Sequence, residues 1–277
     1  MTQLSHDELV ELERIAIESA LEAAELVRQR PDDLGIEVKS SRTDVVTLVD
    51  AASEKLLVQR IRELRPQDGF YGEEEADTRA QSPLTWVLDP IDGTVNFLYD
   101  YPLYAVSVAV VEGDPRIPGQ WRPIAGAVAD VPAGSVYHAR TGGGAYLRRD
   151  GNDERLSVTG SSDLGTSLVA TGFGYDAQKR GRQARVLMHV LPQIRDIRRG
   201  GSAALDLCHV AQGRLDGYYE MGINPWDMAA GWLVLTEAGG LATGAHGAPP
   251  SSECVIAAGA TLHPALAELV QDGLQHF

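Results

Sequence analysis

The chain has 277 residues, 44% of them hydrophobic and 23% charged, with a net charge of −15; this is the composition of a globular protein with a substantial core. No apolar run approaches the roughly 20 residues that cross a bilayer, and the start MTQLSHDELVELERIA is acidic where a secretory leader is basic, which points to the cytoplasm. The acidity, with no basic block to offset it, argues against nucleic acid or an anionic membrane as partner, and Cys208 and Cys254, with no CxxC or His-spaced neighbours, read as buried thiols.

In chain order, Ser5 with Glu8 forms a capping-box pattern, followed by apolar residues at helical spacing from Leu9 to Val27. The pattern predicts a helix to about Arg30, where Pro31 stops it. A second helix is predicted to follow Asp50 and to reach Arg65. Strand-like runs come next: TWVLD, YAVSVAVV, IAGAVAD, GSVYHA and GAYL. Beyond a soft boundary near residues 150–165 the pattern changes. SLVATG, LDGYYE and CVIAAG read as strands; GRQARVLMHVLPQI, SAALDLCHVAQG, PWDMAAGWLVLTEAGG and HPALAELVQDGL read as helices. The whole predicts a mixed α/β or α+β layered fold.

The stretch WVLDPIDGTVNF ends a buried strand on two aspartates three apart, Asp89 and Asp92. Pro90 fixes φ, Gly93 permits a sharp turn, and the N–H groups of Gly93 and Thr94 at the head of a helix offer a seat for an oxyanion. Upstream, YGEEEAD puts Glu73 and Glu74 on a turn; downstream, NPWDMAAGW puts Asp227 at a helix start. Each has a plain structural reading alone: a tight turn, a solvated acidic loop, a helix N-terminal charge complement. Together they form an all-oxygen donor set that suits Mg²⁺, without the sulfur or clustered imidazole that zinc or copper favours. A cation would also relieve repulsion that costs on the order of 4 kcal/mol at about 4 Å and an effective dielectric near 20.

Five segments in order, KSSRTDVVTLVD, GEE, DPIDGTVNF, GSAALDLCHVAQGRLDGYYE and PWDMAAG, make the chain resemble the inositol monophosphatases, magnesium-dependent and lithium-sensitive phosphatases, and within them the bacterial, actinobacterial-type branch. The resemblance implies a layered α/β/α/β/α sandwich with mixed, largely antiparallel sheets. It implies one phosphatase unit with an N-terminal metal-binding half and a C-terminal substrate half, assembled as a homodimer. It implies two to three Mg²⁺ ions on Glu73, Asp89, the carbonyl of Ile91, Asp92 and Asp227, with Thr94, tied to Asp50, orienting a nucleophilic water. Backbone from Ile91 through Gly93 to Thr94 is implied to cradle phosphate, and Gly201, Ser202, Ala203 and Glu220 to meet polyol hydroxyls. Arg198 is implied as a further substrate contact, with Arg199 able to serve instead; Lys39 and Glu74 are implied as supporting residues. The implied reaction is hydrolysis of a phosphate monoester, inositol 1-phosphate first among candidates, by metal-activated water attacking in line. Relatives acting on histidinol phosphate, fructose 1,6-bisphosphate, adenosine 3′,5′-bisphosphate or NADP supply alternative substrates. A catalytically silent regulatory binding protein is the alternative of another class.

Overall fold

The computed structural model describes residues 4–39 and 45–275; residues 40–44, inside the KSSRTDVVTLVD segment, lie outside the described residues. Helix α1 (His6–Arg28) opens on the expected capping box, Ser5 Oγ accepting from the Glu8 N–H and Glu8 Oε2 accepting from the Ser5 N–H. A short antiparallel pair, β1 (Glu37–Val38) with β2 (Val45–Val46), precedes α2 (Leu48–Leu64). That helix starts before Asp50 rather than after it: Thr47 is its cap, and Asp50 sits in the first turn as the reciprocal capping-box partner.

An eight-stranded sheet follows, built from β3 (Gly69–Gly72), β4 (Asp77–Thr78), β5 (Leu84–Asp92), then, after the one-turn helix α3 (Thr94–Leu98), β6 (Ala105–Gly113), β7 (Trp121–Asp130), β8 (Ser135–Arg140), β9 (Gly144–Arg149) and β10 (Asn152–Arg155). Its order is β10-β9-β8-β7-β6-β5-β3-β4, antiparallel except where β3 runs parallel to β5. The second half contributes β11 (Leu168–Thr171), α4 (Ala177–Val190), β12 (Asp196–Arg198), α5 (Ala203–Ala211), β13 (Gly217–Glu220), α6 (Pro225–Glu237), β14 (Gly240–Thr243), β15 (Val255–Gly259) and α7 (His263–Gln275). Its five strands, in order β12-β11-β13-β15-β14, form a mixed sheet. Strands β10 and β12 carried no apolar alternation to announce them; all four side chains of β10 are exposed.

Three apolar clusters set the layers. One joins α1 and α2 to a face of the large sheet; the second fills the space between the sheets around α5 and α6; the third seals the outer face of the small sheet under α4 and α7. This is the α/β/α/β/α stack expected from the sequence. Helix α6, sandwiched between sheets, is apolar nearly all round, as a helix with two buried faces must be.

Strand β5 runs past Asp89 to Asp92, and the continuation is where the site begins. Along β5, Trp86 and Leu88 face the α1/α2 cluster while Val87 faces the α5/α6 cluster, the alternation of a regular strand. Residues three apart would then point to opposite faces. A register shift between Asp89, opposite Ser107, and Asp92, opposite Ala105, inserts one extra residue. Pro90, which has no N–H to give a ladder, sits in this bulge. The parity flips: Ile91 returns to the α1/α2 side, and Asp92 joins Asp89 on the inter-sheet side.

Candidate active site

The two aspartates open into a cavity of about 370 Å³ between the sheets. Glu73, Asp89, Asp92 and Asp227 all line it, brought from the β3–β4 turn, from β5 and from the first turn of α6. Oxygens of Asp89, Asp92 and Asp227 lie within 4.8 Å of one another. Each is held by its own local structure. Asp89 Oδ1 accepts the Ile91 N–H at 3.1 Å; Asp92 Oδ2 accepts from Ser202 Oγ at 2.5 Å and the Ala204 N–H at 2.7 Å; Asp227 Oδ2 accepts the Asn224 N–H at 2.5 Å. Asp227 is thus both a helix-capping acid and a wall of the cavity, and Pro225 is the first residue of its helix.

The electrostatics of this cluster are unfavourable without a cation. Burial, then the charges of Glu73, Asp92 and Asp227, push the Asp89 carboxyl well above the ordinary range. Burial, then Asp92 and Glu73, do the same to Asp227. Burial lifts Asp92 to about 6 against the bonds from Ser202 and Ala204, and lifts Glu73 to about 7 against the charge of Lys39. The Lys39 ammonium bonds Glu73 at 3.0 Å and Glu74 at 2.5 Å; burial works against its charge, but the two glutamates outweigh it and raise its pKa. Lys179 and Arg199 also line the cavity, yet the carboxyls of Glu73, Asp89, Asp92 and Asp227 all stay raised. Among the described residues Asp89 Oδ2, buried, has no hydrogen-bond partner, and neither histidine nor cysteine lines the cavity. An orphaned carboxylate oxygen in an all-oxygen cluster is what a hard divalent cation fits.

Gly93, with φ of 94°, makes the left-handed turn into α3, where a side chain would be strained. Thr94 Oγ1 stands 3.0 Å from the Ile91 carbonyl and 3.3 Å from Asp50 Oδ1. Its single proton can serve only one of these acceptors at a time, leaving lone pairs free. Asp50 is fully buried; burial raises its pKa while two bonds from Thr47 and one from Thr94 favour its charge.

On the opposite wall, Gly201, Ala203 and Glu220 face the cavity. Two of the side chains named from the sequence lie off the cavity. Ser202 does not line the cavity: it is 1% exposed, its hydroxyl donating to Asp92 and accepting the Leu205 N–H as cap of α5. Nor does Arg198, whose guanidinium lies at the surface on Asp196 and the Ile197 carbonyl; the side chain that lines the cavity is Arg199. Arg199 lies just past the last residue of β12, where strand alternation no longer sets the side-chain direction. Glu220 lies against Gly172 and accepts from the Tyr218 hydroxyl at 2.8 Å; burial raises its pKa to about 7. Tyr175, Lys179 and Trp226 also line the cavity and were not singled out from the sequence. The first two belong to the loop after β11 and the start of α4, where the run GFGYD, residues 172–176, offers the signal of a glycine-bearing turn before a helix cap. Arg199→Ala is expected to raise KM for an anionic ester about tenfold, the loss of one charge-assisted contact, whereas Arg198→Ala leaves it unchanged in the same steady-state assay. Equal effects would contradict this placement.

A five-layer fold whose bulged strand delivers a buried carboxylate cluster beside a threonine and a glycine turn defines a phosphoric monoester hydrolase of the metal-dependent kind. The chain belongs to the inositol monophosphatase family, whose model matches residues 8–275. It is 47% identical over 249 residues to the inositol-1-monophosphatase SuhB of Mycobacterium tuberculosis, covering 84% of this chain and 83% of that protein. The solved structure of Mycobacterium tuberculosis SuhB superposes with a TM-score of 0.81 at 44% identity, over 96% of this chain and 98% of that one. The chain is also 38% identical over 252 residues to a Pasteurella multocida protein named Nus factor SuhB, covering 88% of this chain and 90% of that protein.

Proposed function

We propose that this phosphatase hydrolyses a polyol phosphate monoester, inositol 1-phosphate foremost, in a magnesium-dependent reaction. The observation that carries the reading is the convergence of Glu73, Asp89, Asp92 and Asp227 around an unpartnered Asp89 oxygen. Those four side chains and the Ile91 carbonyl would hold two to three Mg²⁺ ions. The chemistry such ions supply is Lewis-acidic: they acidify water and neutralise charge on the phosphoryl and leaving oxygens. The chain's own groups do the rest. Thr94, donating to Asp50 or to Ile91, keeps a lone pair for the hydrogen of an attacking water. The N–H groups of Gly93 and Thr94 offer donors to phosphate oxygens, and Arg199 adds a cation to the same pocket. Glu220 accepts from substrate hydroxyls, with Tyr218 holding one of its oxygens so that the other faces the cavity. The site takes Glu73, Asp89 and Asp92 from the large sheet, Asp227 from α6 and Glu220 from the small sheet, so the chain works as one unit.

A panel of inositol 1-phosphate, histidinol phosphate, fructose 1,6-bisphosphate, adenosine 3′,5′-bisphosphate and NADP, assayed for phosphate release with Mg²⁺, tests the substrate. The inositol ester is expected to give the highest kcat/KM, with activity abolished by EDTA and inhibited by Li⁺; a best rate on histidinol phosphate would overturn the choice. Tyr218→Phe is expected to raise KM for the inositol ester about tenfold while leaving hydrolysis of p-nitrophenyl phosphate, which has no hydroxyls to read, within twofold. Cytoplasmic location and a homodimer complete the proposal; no helix among the described residues is long and apolar enough to cross a membrane. The Nus factor name borne by a 38%-identical relative favours a second reading, a regulatory binding role beside the chemistry. The intact carboxylate set weighs against a purely silent one.

A further inference from the structure

Glu54 carries no signal in the sequence: it is one acid among several on α2. In the fold it is 4% exposed and faces the acidic turn after β3. Its Oε2 accepts the N–H of Glu74 at 3.1 Å, and its Oε1 accepts those of Glu75 at 2.7 Å and Ala76 at 2.9 Å. Three consecutive backbone donors therefore close on one buried anion, the arrangement of a nest. The other side of the turn is pinned by Gly72 N–H to the Ala76 carbonyl at 2.6 Å and Glu73 N–H to the Leu88 carbonyl at 3.1 Å. Gly72 has to be bare, because a Cβ there would stand 2.0 Å from Glu54 Oε2.

We propose that Glu54 is a positioning residue for the cation site: by gripping the 72–76 turn it aims Glu73 into the cavity before any cation arrives, and so sets Mg²⁺ affinity without touching cation or ester. The inference rests on the reading of the cavity as a magnesium site. The turn bears three adjacent carboxylates, which repel one another and drive it toward solvent. Without an internal acceptor its three N–H groups would turn to water, and the cost of ordering the turn would fall on cation binding. The carboxylate suits the task better than an amide. In Gln the carbonyl oxygen can take the place of Oε1, but the NH₂ group then meets the Glu74 N–H, donor against donor.

The test is calorimetric titration of metal-free wild type, Glu54→Gln and Gly72→Ala with Mg²⁺, alongside phosphate release as a function of Mg²⁺ concentration. Both variants are expected to need about 10- to 100-fold more Mg²⁺ for half-saturation, the range for loss of a group that orients a metal ligand. At saturating Mg²⁺, kcat and KM for the ester are expected to return to within about twofold of wild type. A lowered melting temperature with unshifted Mg²⁺ half-saturation would make Glu54 a strut only and overturn the inference. Wild type that binds no Mg²⁺ would overturn the magnesium reading and this inference with it; wild-type binding matched by Glu54→Gln sinks the inference alone.

Discussion

Asp89→Asn is expected to abolish turnover, by about 10³-fold or more, roughly 4 kcal/mol of transition-state stabilisation, while making the metal-free protein more stable. The two effects share a cause. Asp89 is 1% exposed and stands between Glu73, Asp92 and Asp227, each of which raises the cost of its charge. The Asn carbonyl can keep the bond from the Ile91 N–H, so the bulge survives. Its NH₂ group then takes the place of the orphaned Oδ2 and turns a donor toward neighbouring carboxylates without needing a proton to do so. Replacing a buried, uncompensated acid in this way is worth about 1–3 kcal/mol, or several degrees of melting temperature for a chain of this size. Calorimetric melting in EDTA and kcat at saturating Mg²⁺ read the two halves separately. Turnover within tenfold of wild type would show that the chemistry does not need the shared carboxylate. Lost turnover with a lower melting temperature would point to a broken fold instead. The same variant separates the two functional readings: a regulatory partner that still binds Asp89→Asn uses some other surface.

What the sequence made legible, and what it hid, divides along physical lines. Asp89, Asp92, Gly93 and Thr94 fall within six residues, so one turn brings them together and their spacing can be read directly. Asp227 was recognisable because a proline and an acid open an apolar helix. Strands whose apolar residues alternate or run together were visible, whereas β4, β10 and β12, short and mostly exposed, left no mark. The contacts that complete the site depend on parity and distance, which a linear reading does not carry. The bulge at Pro90 decides that Asp89 and Asp92 share a face. The turn just past the end of β12 puts Arg199, not Arg198, in the cavity. Ser202 looked like a substrate contact and is instead a buried strut between α5 and Asp92. Glu54 serves donors 20 to 22 residues away, and on a helix it reads as one more solvated acid. The sequence therefore exposes the residues that carry charge to the chemistry more readily than those that hold them still.

The second large effect is the loss of a pH dependence on loading with cation. In the metal-free protein Glu73 sits at about 7 against an ordinary 4.5, Glu220 at about 7 against 4.5, and Asp92 at about 6 against 3.8, with burial the leading cause for each. Asp89 and Asp227 are raised as well, by burial and by their neighbouring carboxylates. A carboxyl whose folded-state pKa exceeds its unfolded value binds protons more tightly when folded. Its stabilisation is complete below the unfolded pKa and is lost as pH rises through the folded one. Metal-free stability should therefore fall from about pH 4.5 to above pH 7, by an amount on the order of a few kcal/mol once the coupling among these acids is allowed for, or roughly 5–10 °C in melting temperature between pH 5.5 and pH 8. Acids held low by arginine or backbone partners, such as Asp153 at about 2, produce the opposite slope only in more acid solution, so the metal-free maximum lies near pH 5. With saturating Mg²⁺ the cations stand where the protons stood, and the decline toward pH 8 should vanish. Binding at pH 7 should accordingly release protons, so that the calorimetric enthalpy of Mg²⁺ binding shifts with the ionisation enthalpy of the buffer. Melting curves that fall equally with pH in EDTA and in Mg²⁺, together with a buffer-independent binding enthalpy, would mean that these carboxylates do not exchange protons for cations, and the magnesium site would have to be sought elsewhere.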